Sequence, residues 1–429
     1  MTIIKPFRGY RYNPKAVGDL SRVITPPYDV INRDQQASYY KTHPYNFIRL
    51  DLGKTSPEDN EKNNRYTRAG IFLEEWIDKG ILVRDLRESV YVYDQEYIDD
   101  GKKRRRLGFI SLARLEEDRT KGFLPHERTF RGPKLDRLNL MRETGANMSP
   151  IFSIVLDENK KIINILKDFA RKSKPVFDVK FDGTRNRIWL MDDPVAIKRL
   201  KVSIKDKRAL IADGHHRYEV ALEYKRYMLK HKAAAGPDAL NYVMMYFATS
   251  DPSGFAILPT HRMVEGISAE SFRRNLDKIR KFFDIIQLSS KDKMFARMRA
   301  EGRHTIGIYI GGLRDYLCLS LKRRDASGLI KSKNSAYWRN LDVVILHRLV
   351  FEKALGIRGE KAERVISFTR DPQEAFEWAA SGDGRAAFFL NPPALDEIKN
   401  IVKRRERMPH KTTYFYPKPP SGMVINKIN

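Results

Sequence analysis

The stretch ALIADGHHRY, residues 209–218, decides how the chain is read. Ala209–Ala212 is a short apolar run of the kind that forms a buried strand. Asp213 and Gly214 break the run. From Tyr218 to Leu229, Val220, Ala221, Tyr224 and Tyr227 then recur at helical spacing. The order is strand, polar turn, helix. The first turn of a helix carries unpaired backbone N–H groups, which make an anion site. Gly214 permits close approach of a ligand. Arg217 adds a planar, permanently charged fork suited to phosphate. His215 and His216 can donate to phosphate oxygens, and Asp213 can hold a divalent ion or orient a histidine. The competing reading is a plain helix start, with Asp213 as cap and the histidines on the surface. So much chemistry within five residues favours a functional site. Adjacent histidines are not the i, i+4 pair of a helical zinc site, so a histidine-based zinc centre is not implied.

Outward from this element, apolar and polar segments alternate along the whole chain. Residues 61–79 read as an amphipathic helix through Tyr66, Ala69, Phe72, Leu73, Trp76 and Ile77, with Gly80 behind it. Ser89–Ile98 and Arg106–Arg114 read as a strand pair around Lys102–Arg106, a basic run expected to form the hairpin turn. Asn159–Arg171 reads as a helix and Phe181–Leu190 as strands. Tyr242–Thr249, Ala256–Pro259, His304–Ile310, Asp315–Ser320, Val365–Thr369 and Arg385–Leu390 read as further strands. Leu341–Leu355 and Pro372–Ala380 read as helices. Thr25–Ile31 contains Pro26 and Pro27 and is expected to be rigid and extended. The class is mixed α/β. Two regions are expected: residues 1–185, and residues 186–429 with the DGHHR turn and an aromatic, Pro-rich C-terminal arm.

The 429 residues hold 81 Lys plus Arg and 54 Asp plus Glu, a formal charge of +27. A surplus this large admits nucleic-acid binding, a site for a small polyanion, or a merely basic surface. No helix-turn-helix, zinc finger or aromatic RNA-binding signature accompanies the basic runs, so nucleic acid is not the expected partner. Hydrophobic residues at 41% exclude wholesale disorder. The single cysteine, Cys318, excludes an intramolecular disulfide framework and a multi-cysteine zinc site. No apolar run approaches the ~20 residues of a membrane span, and a cytoplasmic protein is expected. P-loop, GxGxxG, HExxH and GxSxG motifs are absent.

Three further clusters carry candidate chemistry. His126-Glu127-Arg128-Thr129, with Lys134, Asp136 and Arg137 after it, gathers acid, base and cation candidates. Glu127 or Asp136 can act as a general base, and Lys134 and Arg137 can steady phosphate charge. An exposed, internally paired charged loop is the alternative. Thr260-His261-Arg262 follows a strand and is a weaker signal, with a structural histidine the simpler reading. Near the C-terminus, Lys411 can reach an anion, or its segment can be an arm packed by aromatics.

Taken in order, PFRGYRYNP (6–14), TPPYDVI (25–31), HERT (126–129), GPKLDRL (132–138), IADGHHRY (211–218), PTHR (259–262) and KTTYFYPK (411–418) resemble a prokaryotic family catalogued as domain of unknown function 1015. The strand–DGHHR–helix element also looks like the phosphate-binding box of the ParB/sulfiredoxin fold. Free-serine kinases of that superfamily carry a similar DGHHR, and some larger ones use inorganic pyrophosphate. The resemblance implies a ParB/sulfiredoxin-like core and phosphorylation of L-serine with pyrophosphate or a nucleotide as donor. Asp213, Gly214, His215, His216 and Arg217 would bind donor phosphates and Mg²⁺, with Asp213 as the metal ligand. Glu127 would take the serine proton, with Asp136 and Asp29 behind it. Tyr28, Asp29, His126, Thr260, His261 and Arg262 would complete substrate binding. A ParB-type regulatory protein and a metal-dependent phosphohydrolase are the other classes the same box can serve.

Overall fold

The computed structural model describes residues 1–99, 101–117, 122–125, 131–157, 159–231, 236, 238–251, 254–313, 315–409 and 411–428. His126, Glu127, Arg128, Thr129 and His410 lie outside the described residues. The described chain forms two compact units, one of residues 1–125, 131–256 and 417–428, the other of residues 257–416. The fold is mixed α/β with open sheets. The expected division after residue 185 falls inside the strand Thr184–Met191, whose sheet neighbours all belong to the first unit.

The first unit is built on a nine-stranded mixed sheet. Its order runs Phe123–Pro125, Ala209–Asp213, Ile151–Val155, Tyr242–Thr249, Lys102–Arg114, Val90–Asp99, Thr184–Met191, Phe177–Phe181, with Ile4–Lys5 beside Lys102–Arg114. Ala209–Asp213 runs parallel to Phe123–Pro125, and Tyr242–Thr249 parallel to Ile151–Val155. The other pairs are antiparallel. Phe109, Phe123, Ile151, Met245 and Phe247 from the strands pack with Val220 and Ala221 from the helix His215–Lys230 in one apolar cluster. Fully burying each of the larger side chains is worth about 1.5–3 kcal/mol. A second cluster joins Trp76 and Leu73 of the helix Arg65–Asp78 to Leu140 of the helix Arg131–Thr144.

The basic run is not a turn. Lys102–Arg114 is one strand, whose residues 102–110 pair one for one with residues 91–99 of the strand Val90–Asp99. Acidic residues of the neighbouring strand supply the reason: Arg104 pairs with Asp99 at 2.6 Å and Arg105 with Asp94 at 2.7 Å. Arg106 is buried and donates to Gln95 and to the carbonyl of Pro417. The expected extended segment at 25–31 is also only half extended. Thr25 bridges Ser421, and Tyr28–Val30 then closes one tight helical turn after Pro27. The helix expected from Asp136 begins at Arg131, so Lys134, Asp136 and Arg137 share one helix.

The second unit carries a six-stranded antiparallel sheet, in the order Phe283–Leu288, Tyr316–Leu321, Thr305–Ile310, Arg385–Leu390, His261–Glu265, Ile366–Thr369. The helices Lys291–Glu301 and Pro372–Ala380 contribute Met294, Met298, Phe376 and Ala379 to its core. Among the described residues no helix is long and apolar enough to cross a membrane.

Candidate functional site

The strand Ala209–Asp213 shifts register between Ile211 and Asp213. Such a bulge bends a strand and re-aims a side chain at its end. Gly214 follows in the left-handed region, φ 89°, and caps the helix His215–Lys230. A Cβ on Gly214 would meet the Arg217 guanidinium at 2.8–3.0 Å. Glycine is therefore required twice, for its φ and for the close approach of Arg217.

Arg217 is tightly held. It donates to Asp213 Oδ2 at 2.7 Å, to Ser149 Oγ at 2.7 Å and to the Pro150 carbonyl at 2.8 Å. Asp213 Oδ1 takes the Lys418 ammonium at 2.6 Å, and the same ammonium reaches Asp29 Oδ2 at 2.5 Å. Burial works to raise the Asp213 carboxyl, but Lys418 and Arg217 outweigh it and hold it at about 2. The Lys418 side chain is only 8% exposed.

Lys418 is placed by contacts remote in sequence. Arg106 binds the Pro417 carbonyl, and Gln95 Nε2 donates to the Lys418 carbonyl at 3.3 Å. Ser421 and Thr25 exchange backbone hydrogen bonds at 2.8 and 3.2 Å, which sets the C-terminal arm beside Tyr28 and Asp29. Prolines at 417, 419 and 420 restrict the arm.

The helix Arg131–Thr144 packs beside the helix His215–Lys230. Lys134 lies 3.2 Å from Glu219. Arg137 donates to Asp51 Oδ1 and to Asp136 Oδ2, each at 2.7 Å, and its guanidinium stacks 3.9 Å from the Tyr28 ring centre. Asp136 also accepts from Arg65 and from Tyr66 at 2.8 Å. Burial pushes the Tyr28 hydroxyl up to about 12, against the pull of Arg137 and Arg217, so it stays a proton donor. Burial lowers the His216 imidazole below its ordinary value, with Glu219, Asp29 and Asp213 opposing. His216 is therefore largely neutral at pH 7. His215 is buried at the first position of its helix.

The structure thus gathers Tyr28, Asp29, Lys134, Asp136, Arg137, Asp213, Gly214, His216 and Arg217 in the first unit. It adds Lys418, Ser149, Asp51 and Glu219, which the sequence reading did not single out. Thr260, His261 and Arg262 belong to the second unit, where their partners are local. Arg262 donates to the Thr260 carbonyl and to the Lys411 carbonyl, the latter at 3.0 Å, and Leu390 N–H reaches His261 Nδ1 at 3.4 Å. Lys411 is exposed and meets Arg262 through its backbone. The C-terminal lysine beside Asp213 is Lys418.

Five cations, Arg65, Lys134, Arg137, Arg217 and Lys418, here face five carboxylates, Asp29, Asp51, Asp136, Asp213 and Glu219. Among the described residues these charges pair within one network, beside the first turn of the helix His215–Lys230. A cavity of about 40 Å³ adjoins it, lined by Asp51, Arg137, Asn147, Ser149, Arg217 and apolar side chains. Among the described residues no three His, Cys, Asp or Glu side chains group as a metal site. Asp29 and Asp213 are bridged by the Lys418 ammonium, and as hard carboxylate oxygens they are of the type that Mg²⁺ takes when phosphate oxygens complete the shell.

The family model for Protein of unknown function (DUF1015) matches residues 4–344. The chain belongs to this family. The DUF1015 match covers the nine-stranded sheet, the helix Arg131–Thr144 and the DGHHR turn, and it ends before the arm that carries Lys418. No curated protein matches the chain. Among solved structures, a free serine kinase in complex with AMP is 13% identical, with a TM-score of 0.32 over 68% of this chain and 83% of that one. SbnI with C-terminal truncation from Staphylococcus aureus is 13% identical, with a TM-score of 0.36 over 74% and 87%. A conserved hypothetical protein from Pyrococcus furiosus is 13% identical, with a TM-score of 0.33 over 71% and 90%. No residue role is carried across at these scores.

Proposed function

We propose that the chain is a phosphotransferase with a ParB/sulfiredoxin-like core, which phosphorylates free L-serine with inorganic pyrophosphate as donor. The observation that carries this reading is the Asp213–Arg217–Lys418–Asp29 network at the first turn of the helix His215–Lys230. The sequence resemblance of DGHHR to the box of free-serine kinases supplies the acceptor and donor. In the step, serine Oγ forms a bond to one phosphorus of pyrophosphate. The bond from that phosphorus to the bridging oxygen breaks, and orthophosphate leaves. The serine proton passes to Glu127 or to the neutral imidazole of His216. Asp136 already accepts from Arg65, Tyr66 and Arg137, which makes it the poorer base.

Arg217 and the N–H groups at His215 and His216 hold donor phosphate oxygens, and Lys134 and Arg137 flank them. Because the described cations of the cluster are each paired with a carboxylate, a polyanion needs added positive charge. Mg²⁺, held by Asp213 and Asp29 with the donor, would supply that neutralisation when bound. The test is purified protein with L-serine, Mg²⁺ and pyrophosphate, ADP or ATP in separate reactions, with phosphoserine and orthophosphate both measured. Phosphoserine from pyrophosphate and its loss on chelation are the expected results. Orthophosphate without phosphoserine would indicate a phosphohydrolase, and no turnover with any donor would reject the enzyme reading. E127Q and H216N, assayed across pH, separate the two proton acceptors.

A further inference from the structure

A cleft in the second unit collects cations that the described chain leaves uncommitted. It has a volume of about 280 Å³ and is lined by Arg303, His304, Leu321, Arg323 and Arg324, with Glu301 as its one carboxylate. These residues all lie within the second unit. Glu301 is already engaged: one oxygen takes Arg297 and the other accepts from the Ser320 hydroxyl. Arg303 pairs with Glu397 at 2.8 Å. Arg323 and Arg324 are exposed, and among the described residues neither has a carboxylate partner. Asp325, next in the chain, is committed elsewhere. Its Oδ1 accepts from Asn340 Nδ2 at 2.6 Å and from the Ser327 N–H at 2.8 Å, and its Oδ2 from the Ser327 hydroxyl at 2.7 Å.

One part of the wall is fixed in advance. His304 is 9% exposed and holds the left-handed backbone conformation, φ 65°, which residues other than glycine seldom adopt. Its N–H donates to Asp342 Oδ1 at 2.8 Å, its carbonyl accepts from the Leu321 N–H at 3.0 Å, and its Nε2 lies 3.1 Å from the Asn340 carbonyl. Strain of this kind persists only where the surroundings over-determine it, and it clusters at ligand clamps and other functional sites. The lining then selects a ligand by charge and shape. Two guanidinium groups without a carboxylate call for a polyanion. A carboxylate is filled by one arginine fork, whereas a phosphate group offers three oxygens and can be shared by two forks. The volume falls just below the ~300–1,000 Å³ range of small-molecule sites. Among the described residues Leu321 is the one apolar side chain on the lining, and no aromatic ring is there to stack a base. We infer that this cleft binds a compact phosphate-bearing polyanion, an inorganic polyphosphate or a small phosphorylated metabolite, through Arg323 and Arg324. The site lies in a different unit from the DGHHR turn and does not rest on the kinase reading.

The inference is tested by titration calorimetry on the full chain carrying R217A, at about 0.15 M salt so that diffuse attraction is screened. R217A weakens the donor site at the DGHHR turn, so that binding at the cleft is read above it. Tripolyphosphate and fructose 1,6-bisphosphate stand for the two sources of phosphate. At least one of them is expected to bind saturably, and the tighter one names the source. R323A/R324A in the same background should weaken that ligand by at least about tenfold. K198A/R199A removes two exposed cations from the helix Pro194–Lys205 in the first unit, and it should change affinity by less than about twofold. All four residues are exposed, so both double variants should keep the native circular dichroism. Citrate, a polyanion without phosphate, should bind at least about tenfold more weakly. Absence of saturable binding by either phosphate ligand would overturn the site, and so would equal weakening by the two double variants. Citrate binding as tightly as the better phosphate ligand would overturn the assignment to phosphate.

Discussion

Two His-Arg pairs, His216-Arg217 and His261-Arg262, look alike in the sequence and do opposite things in the structure. Both arginines are largely buried and follow a short apolar strand, Ala209–Asp213 or Ala256–Leu258. Arg217 binds a carboxylate, a hydroxyl and a carbonyl, and borders a cavity. Arg262 is 1% exposed, binds backbone carbonyls and lies 5.5 Å from the Phe368 ring centre. The difference arises in the residues just before each pair. Gly214 ends a strand and opens a helix, so Arg217 sits in the first turn of the helix His215–Lys230. Thr260 leads directly into the strand His261–Glu265, so Arg262 is inside a sheet, paired across to Phe368 and Phe388. A cation in the first turn of a helix can serve an anionic ligand. A cation inside a sheet satisfies its own backbone.

The sharpest way to break this contrast is to delete each arginine. R217A is expected to lower pyrophosphate-dependent turnover by about 10²–10³-fold, on the scale of losing one donor to a developing anion. Its far-UV circular dichroism should stay native. R262M is expected to act on stability instead, costing on the order of 1–3 kcal/mol as two carbonyls lose their donor. Urea melts and kcat/KM for both variants check the pair. A turnover loss in R262M above about tenfold, with stability intact, would return Arg262 to substrate binding.

Lys418 offers the next test. K418M leaves Asp29 and Asp213 facing each other without the ammonium. The loss should be about 1–2 kcal/mol, below a fully buried pair because Asp29 is 36% exposed. The Asp213 carboxyl should rise, measured by NMR titration, since Lys418 is the largest influence opposing burial there. G214A should cost about 1–2 kcal/mol for a non-glycine residue at φ 89°, and should also displace the Arg217 guanidinium and weaken donor binding.

The contrast also explains what the sequence could show. The strand–turn–helix around Asp213 was readable because an apolar run, a glycine and a 3.6-residue period are local signals. So was the pairing of residues 90–114. The register of the basic run was not, because Lys102–Arg106 has the composition of a turn and only the acids of the opposite strand make it a strand. Lys418 was missed in favour of Lys411, since its position depends on Arg106, Gln95 and Thr25, all more than 300 residues away. Its signal was the proline on either side, which fixes a lysine's backbone. Asp51 had no local signal: its role follows from Arg137, 86 residues on.

The smallest expected effect concerns acid stability in the second unit. His261 is held down to about 4 and His347 to about 3, by burial first and by nearby Arg262 second. The neutral ring is also what the hydrogen bonding requires, because His261 Nδ1 accepts from Leu390 N–H. Above pH ~6.5 the histidines are neutral in both states and contribute no pH dependence. Below it the unfolded chain takes up protons that the folded chain refuses, so stability falls with pH by up to about 1.4 kcal/mol per unit for each ring, until the folded pKa is reached. H261N removes one of the two rings. It should remove about 1 kcal/mol of the loss between pH 7 and 5.5, read by amide exchange on the strand His261–Glu265. His216, lowered less and set among carboxylates, should leave a shallower acid dependence in the first unit than the His261–His347 pair leaves in the second. Equal slopes from both units would mean that His261 is no more shielded than His216, and the contrast between the two pairs would then rest on their arginines alone.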